Sequence, residues 1–168
     1  MKKILLCISA VLLALSLTMG ALAVPSSVTY RTTGQFLAYC DEQGIKYTYQ
    51  GIDNDNDERV TVSYDLSSTS VDVILFFSED GDTCAIRLWN LIRFRDNALD
   101  DVLSAVNQLN MNYRWAKFFA DTSDNTVTCS ADIYFGGADA GDIGYYLLYR
   151  IVNISDYGYE DLARFDIG

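Results

Sequence analysis

Apolar and polar positions change period several times along the chain, and each change marks an element. Phe36, Leu37 and Cys40 recur at helical spacing before Gly44, and Thr32-Thr33-Gly34-Gln35 offers a capping box, so a helix is expected over Gly34–Gln43. Ile45–Gln50 and Arg59–Tyr64 alternate with the period of two that marks strands, with the polar tip Asp53–Glu58 between them. Val71–Ser78 is a more continuously apolar strand. Glu79-Asp80-Gly81-Asp82 carries the Asp-Gly signal of a tight hairpin, after which Cys84, Ile86, Leu88, Ile92 and Phe94 share one strand face, opposite Arg87 and Arg93.

Asn97 then offers an N-cap, and Asp100 and Asp101 suit the positive end of a helix dipole. Leu99, Val102, Leu103, Val106 and Leu109 form one apolar stripe on that helix. Tyr113–Asp121 has apolar residues on both faces, Ala116, Phe118 and Ala120 against Trp115 and Phe119, which predicts an interior strand covered at least partly on both sides. Val127, Cys129, Ala131, Ile133 and Phe135 alternate with polar residues, as in a strand with one wet face. Gly136-Gly137 releases the chain into a last helix, capped by Asp139 and buried along Ile143, Leu147, Ile151 and Ile154, with Gly158 kinking or ending it. The order α-β-β-β-β-α-β-β-α predicts an α+β domain: an antiparallel sheet of about six strands with helices on one face.

Before these elements, Lys2 and Lys3 precede the apolar run Ile4–Met19 and the small-x-small pattern Ala21-Leu22-Ala23. This is the layout of a secretory signal peptide, residues 1–23, cleaved after Ala23. The run is short for a membrane span, so no stable span is expected once it is removed. Residues 24–32 read as an N-terminal extension and 33–168 as the domain. The expected location is extracytoplasmic, in the periplasm, the envelope or the medium.

Removing Lys2 and Lys3 takes the formal charge from −11 to −13. Such a surface repels phosphate backbones, which speaks against nucleic acid and anionic membranes as partners and leaves basic partners, cations or simple solubility. The chain has no histidine, so Ser-His-Asp and Cys-His nucleophile activation and zinc-finger spacing are excluded. GxSxG, GxxxxGK[ST] and GxGxxG are also missing, and no cofactor is expected. After export three cysteines remain, Cys40, Cys84 and Cys129, each on an apolar face, where small buried thiols are expected rather than a disulfide framework.

Two constellations are candidates for function. Asp53, Asp55 and Asp57 stand at the first, third and fifth positions of an EF-hand-like loop, but Glu58 occupies the glycine position and Tyr64 the place of the bidentate glutamate. A looser calcium site is the remaining possibility, because this tip and the Glu79–Asp82 turn would lie at one end of a meander. A solvated turn is the plain alternative. The second constellation is aromatic: Trp89, Trp115 and Phe119 fall on strand faces opposite the core, where exposed rings would form a partner-binding or dimer surface.

The residues Asn107 and Asn110 on the central helix, followed by Arg114, Trp115, Lys117 and Phe118, are signature-like, together with Val73–Glu79 and Ala85-Ile86-Arg87. In these residues and in its order of elements the chain resembles the YbjN-type domain, a bacterial family of sensory transduction regulators whose fold is like that of type III secretion chaperones. The resemblance implies a scaffold rather than a reaction. It also implies protein or peptide clients, a tendency to dimerise, and pairing at a sheet edge. The expected function is therefore an exported, non-enzymatic protein- or peptide-binding module. An envelope sensor of calcium or a small ligand, using the acidic 53–58 loop, is the alternative.

Overall fold

The computed structural model describes residues 24–67 and 69–168; the expected signal peptide and Cys7 lie outside the described residues. The elements follow as helix α1 (Arg31–Gln43), strands β1 (Thr48–Ile52), β2 (Glu58–Asp65), β3 (Ser70–Phe77) and β4 (Thr83–Arg93), and helix α2 (Leu99–Asn112). Strands β5 (Lys117–Asp121) and β6 (Thr126–Tyr134) and helix α3 (Ala140–Leu162) complete the order. All six strands form one antiparallel sheet in the order β1-β2-β3-β4-β6-β5. The α+β class and the order of elements are those expected from the sequence.

The core lies between the sheet and the helices. Val60, Val62, Val73, Leu75, Phe77, Cys84, Ile86, Leu88 and Cys129 point to that side and are buried, with Phe36 and Leu37 of α1 and Leu148 and Ile151 of α3 above them. Phe36 packs on Phe77 at 5.4 Å between ring centroids, and Phe77 stacks with Phe135 at 6.4 Å. Cys40, Cys84 and Cys129 are buried free thiols, as their apolar faces predict.

Several local expectations are corrected. α1 begins at Arg31, with Tyr30 as an N-cap whose side chain makes no capping bond to the helix. The capping box does not form, since Thr32 and Thr33 are buried and the Gln35 side chain instead accepts from Arg31 and from the Ala140 N–H. The start of α1 is fixed from outside: the buried carboxylate of Glu58 accepts from the Thr29 and Tyr30 N–H groups and from the Tyr49 hydroxyl. Asn97 is no cap either, because it sits inside a short 3₁₀ turn, Asp96–Ala98, that leads into α2. Leu103 is exposed, and only Val102, Val106 and Leu109 of the α2 stripe are buried.

β1 starts three residues later than Ile45 and carries a register shift between Tyr49 and Gly51. β4 holds two extra residues between Leu88 and Ile92, against Cys129 and Val127 of β6, with Asn90 at φ 55°. This bulge turns Trp89 outward while Leu91 and Ile92 are both buried.

The segment 113–121 is not interior. β5 covers only Lys117–Asp121 and is an edge strand. α3 runs straight through Gly158, and its buried side is shifted from the expected stripe: Ala140, Gly141, Gly144, Leu148, Ile151, Val152, Ile154, Ser155, Gly158 and Leu162. A Cβ at Gly158 would sit 2.5 Å from Phe118 Cζ, and one at Gly141 would sit 2.9 Å from Tyr39 Cβ. The glycines let α3 lie close to β5 and α1. Asp139 does cap α3, accepting from the Gly141 N–H at 2.7 Å.

Candidate functional site

The described helices occupy one side of the sheet, so among the described residues no helix covers the other side, and its composition follows from strand parity. Arg59, Ile74, Phe76, Arg87 and Trp89 lie on this open face in β2, β3 and β4. Arg59 stands over the Phe76 ring at 5.1 Å, and Trp89 meets the same ring edge-on at 5.5 Å. Phe119 of β5 pairs in register with Thr128 of β6, and the residue after Leu88, which pairs with Cys129, is Trp89. The two aromatic residues therefore flank Thr128 in one row. Trp89 is 46% and Phe119 43% exposed, whereas Thr128 between them is 2% exposed. Arg87 donates to Asp132 at 2.9 Å and to the carbonyls of Ile86 and Ala131, which holds the polar part of the face in place.

Trp115, the third ring expected at a partner surface, is elsewhere. It precedes β5, is 54% exposed, and lies under the guanidinium of Arg150 of α3 at 5.1 Å. There it walls a cleft of about 160 Å³ whose floor is formed by Ile143, Leu147 and Ile151 of α3 and by Ala131–Tyr134 of β6. So the structure brings Trp89 and Phe119 onto one face and sets Trp115 apart from them, at the sheet margin against α3.

The signature residues build this margin. The Asn110 side chain accepts from the Phe118 N–H at 2.8 Å and donates to the Phe118 carbonyl at 2.7 Å. Lys117 Nζ donates to the carbonyls of Asn110 and Tyr113 at the end of α2. Asn107 and Arg114 are exposed. Sequence reasoning marked Asn110 and Lys117 without finding what they hold, and it missed Tyr134, Arg150 and the cleft. One signal was readable: the alternation of β6 is longer than that of β5, so the longer strand must overhang.

The acidic tip is a hairpin turn locked by its own atoms. Asp53 accepts from the Asp55 and Asp57 N–H groups, Asn56 takes φ 63°, and Tyr30 donates its hydroxyl to the Asn56 carbonyl at 2.7 Å. Both acidic turns lie at one end of the sheet, since Glu58 pairs with Phe77 and the adjacent Tyr30 and Arg31 donate to the Asn56 and Gly81 carbonyls. Burial and then the charges of Glu79, Glu58, Asp57 and Asp53 raise the Tyr30 pKa. In the second turn Asp80 is lowered by hydrogen bonds from the Asp82 N–H and Thr83. Asp53, Asp55 and Asp57 do not converge as ligands: among the described residues no three Cys, Asp or Glu side chains are grouped as a metal site requires. No described helix is long and apolar enough to cross a membrane.

A family model described as "putative bacterial sensory transduction regulator" matches residues 35–157. The fold is similar to the crystal structure of "YbjN, a putative transcription regulator from E. coli", with a TM-score of 0.55 and 10% sequence identity over 81% of this chain and 95% of that one. No curated protein matches the chain.

Proposed function

Because the chain belongs to the YbjN family, we propose that it is a non-enzymatic protein- or peptide-binding module, exported through its N-terminal segment and acting outside the cytoplasm. The observation that carries this reading is the sheet face that no described helix covers, where Trp89 and Phe119 stay exposed while the described helices pack on the other side. Leaving large aromatic rings in water gives up hydrophobic stabilisation, and rings grouped in this way are the usual anchors of protein interfaces. The acidic balance of the chain speaks against direct contact with nucleic acid.

The test is affinity capture from the native cell envelope with the mature chain and with a Trp89→Ala/Phe119→Ala variant of equal thermal stability. A partner retained by the first and lost by the second supports the reading. Identical recovery with both would remove the open face from the account. Amino-terminal sequencing of the protein isolated from its own cells checks export, with Val24 expected as the first residue.

A further inference from the structure

We propose that the cleft beside Trp115 binds a small amphiphilic acid, with one ring or branched acyl group in the cleft and the carboxylate on Arg150. The site is separate from the open sheet face and stands or falls apart from it. The cleft exists because β5 begins only at Lys117, opposite Ser130, while β6 continues to Tyr134. Trp115, in the segment that leads into β5, supplies one wall of the space left between the end of β6 and α3.

Size and lining set the apolar part of the ligand. The volume is about 160 Å³, and Ile143, Leu147 and Ile151 form the floor on the α3 side. An apolar cavity of about 150 Å³ is enough to hold benzene. Ile143 and Leu147 are only partly buried, so apolar surface stays in contact with water that a ring would cover. A space of this size fits a free acid with one such group better than a chain segment.

The charge at the rim sets the polar part. Arg150 precedes Ile151 on α3 and stands over the Trp115 ring at 5.1 Å, which puts its guanidinium beside the wall of the cleft. It donates to the Tyr146 hydroxyl at 3.2 Å and pairs with no carboxylate among the described residues. Its remaining N–H groups form the fork that matches a carboxylate. The surroundings are locally basic although the chain is acidic. Arg114 is exposed just before Trp115, and Lys117 follows, its ammonium on the carbonyls at the end of α2. Asp132, the one acid on the cleft walls, is 2.9 Å from Arg87. On α3 itself, Asp142 lies against α1 beside Glu42, and Asp156 accepts from Ser67. A cationic ligand would therefore meet Arg150 and find the nearest carboxylate already paired.

The probe is phenylacetate, titrated into residues 24–168, which contain every described element, and followed by NMR. Its neutral analogue phenylacetamide and the cation phenethylamine are the controls. Saturable binding with a Kd of about 1 mM or lower is expected, with shifts at the Ile143, Leu147 and Ile151 methyls and the Trp115 indole. The amide should bind about tenfold more weakly and the amine not at all. Arg150→Met keeps an unbranched side chain against Trp115 and should erase the preference for acid over amide, a readout that a merely structural role would not move. Leu147→Trp, which fills the cleft from a partly buried position, should abolish binding of both, with a thermal melt to confirm its fold.

Failure of phenylacetate to saturate, equal binding of acid and amide, or an acid preference that survives Arg150→Met would each overturn the proposal. So would shifts confined to Trp89 and Phe119, which would move the ligand to the open face. Acetyl-Gly-Gly-Phe bound about tenfold more tightly than phenylacetate would make a protein C-terminus the occupant and overturn the small-acid assignment.

Discussion

Asn110 serves Phe118 as a neighbouring strand would. Its side-chain amide presents one acceptor and one donor to the backbone of β5, at 2.8 Å and 2.7 Å, and closes that edge of the sheet from the last turn of α2. Asn110→Ala leaves a partly buried N–H and C=O of Phe118 unpaired, at a cost of roughly 2 kcal/mol. Asn110→Asp keeps the acceptor but turns a carboxylate toward a carbonyl, so it should be no better at neutral pH. Thermal melts of both variants check this, and a melting temperature unchanged in Asn110→Ala would mean that water replaces the side chain without loss.

Gly158 is required by Phe118 rather than by the helix. An exposed helical glycine replaced by alanine normally gains about 1 kcal/mol. Here the new Cβ would lie 2.5 Å from Cζ and 2.7 Å from Cε1 of a ring that is itself buried. Gly158→Ala should therefore destabilise by roughly 1–3 kcal/mol. Phe118→Leu should cost stability in the parent and less in the alanine variant, giving a measurable coupling in a double-mutant cycle. Independent, additive effects would show that α3 shifts freely away from β5.

The thiols give a third expectation. Burial pushes Cys40 and Cys129 up to about 12, Cys40 with a smaller push from Asp41, and burial raises Cys84 as well. The native chain should then react with a thiol reagent at neutral pH only as fast as it opens, while the denatured segment 24–168 reacts at once at three positions. Fast labelling of any one thiol under native conditions would contradict the burial of that residue.

The strands were legible because alternation reports directly which residues face a core, and β2 and β6 carry it without interruption, while β3 was marked by its continuous apolar run. Edge position was not legible. Trp115 and Phe119 made the 113–121 segment apolar on both sides, and burial was the ordinary inference; the rings are exposed instead. The face of α3 was misjudged for a related reason. Its contact side is built from Gly141, Gly144, Ser155 and Gly158, which score as nothing in an apolar pattern but allow the closest approach. Thr32 and Gln35 made a good local capping signal, yet a carboxylate from β2 set the helix start, and no local pattern reports a tertiary bond. The aromatic part of the site was readable as three residues, whereas the cleft depended on where β5 stops and was not.

Glu58 is the residue on which that tertiary bond depends, and its replacement tests the N-terminal junction. The carboxylate is fully buried and accepts from Thr29, Tyr30 and Tyr49. Glu58→Gln keeps one accepting oxygen and turns an NH₂ group toward donors that have nowhere else to go. A loss of roughly 2–3 kcal/mol is expected, the range for hydrogen bonds to a charged group. The same carboxylate governs an alkaline transition. Burial first, and then the hydrogen bond and charge of Glu58, push Tyr49 up to about 12, and burial with Asp41 does the same for Tyr47. A phenol whose folded pKa lies above its unfolded value of about 10 stabilises the fold fully below pH 10. That contribution is lost as pH rises from about 10 to 12, because only the unfolded chain ionises easily there. Phenolate absorbance should therefore show a late-titrating fraction that moves to lower pH in Glu58→Gln, with the alkaline midpoint of unfolding moving the same way. A titration curve unchanged by the substitution would mean that burial alone holds the Tyr49 proton.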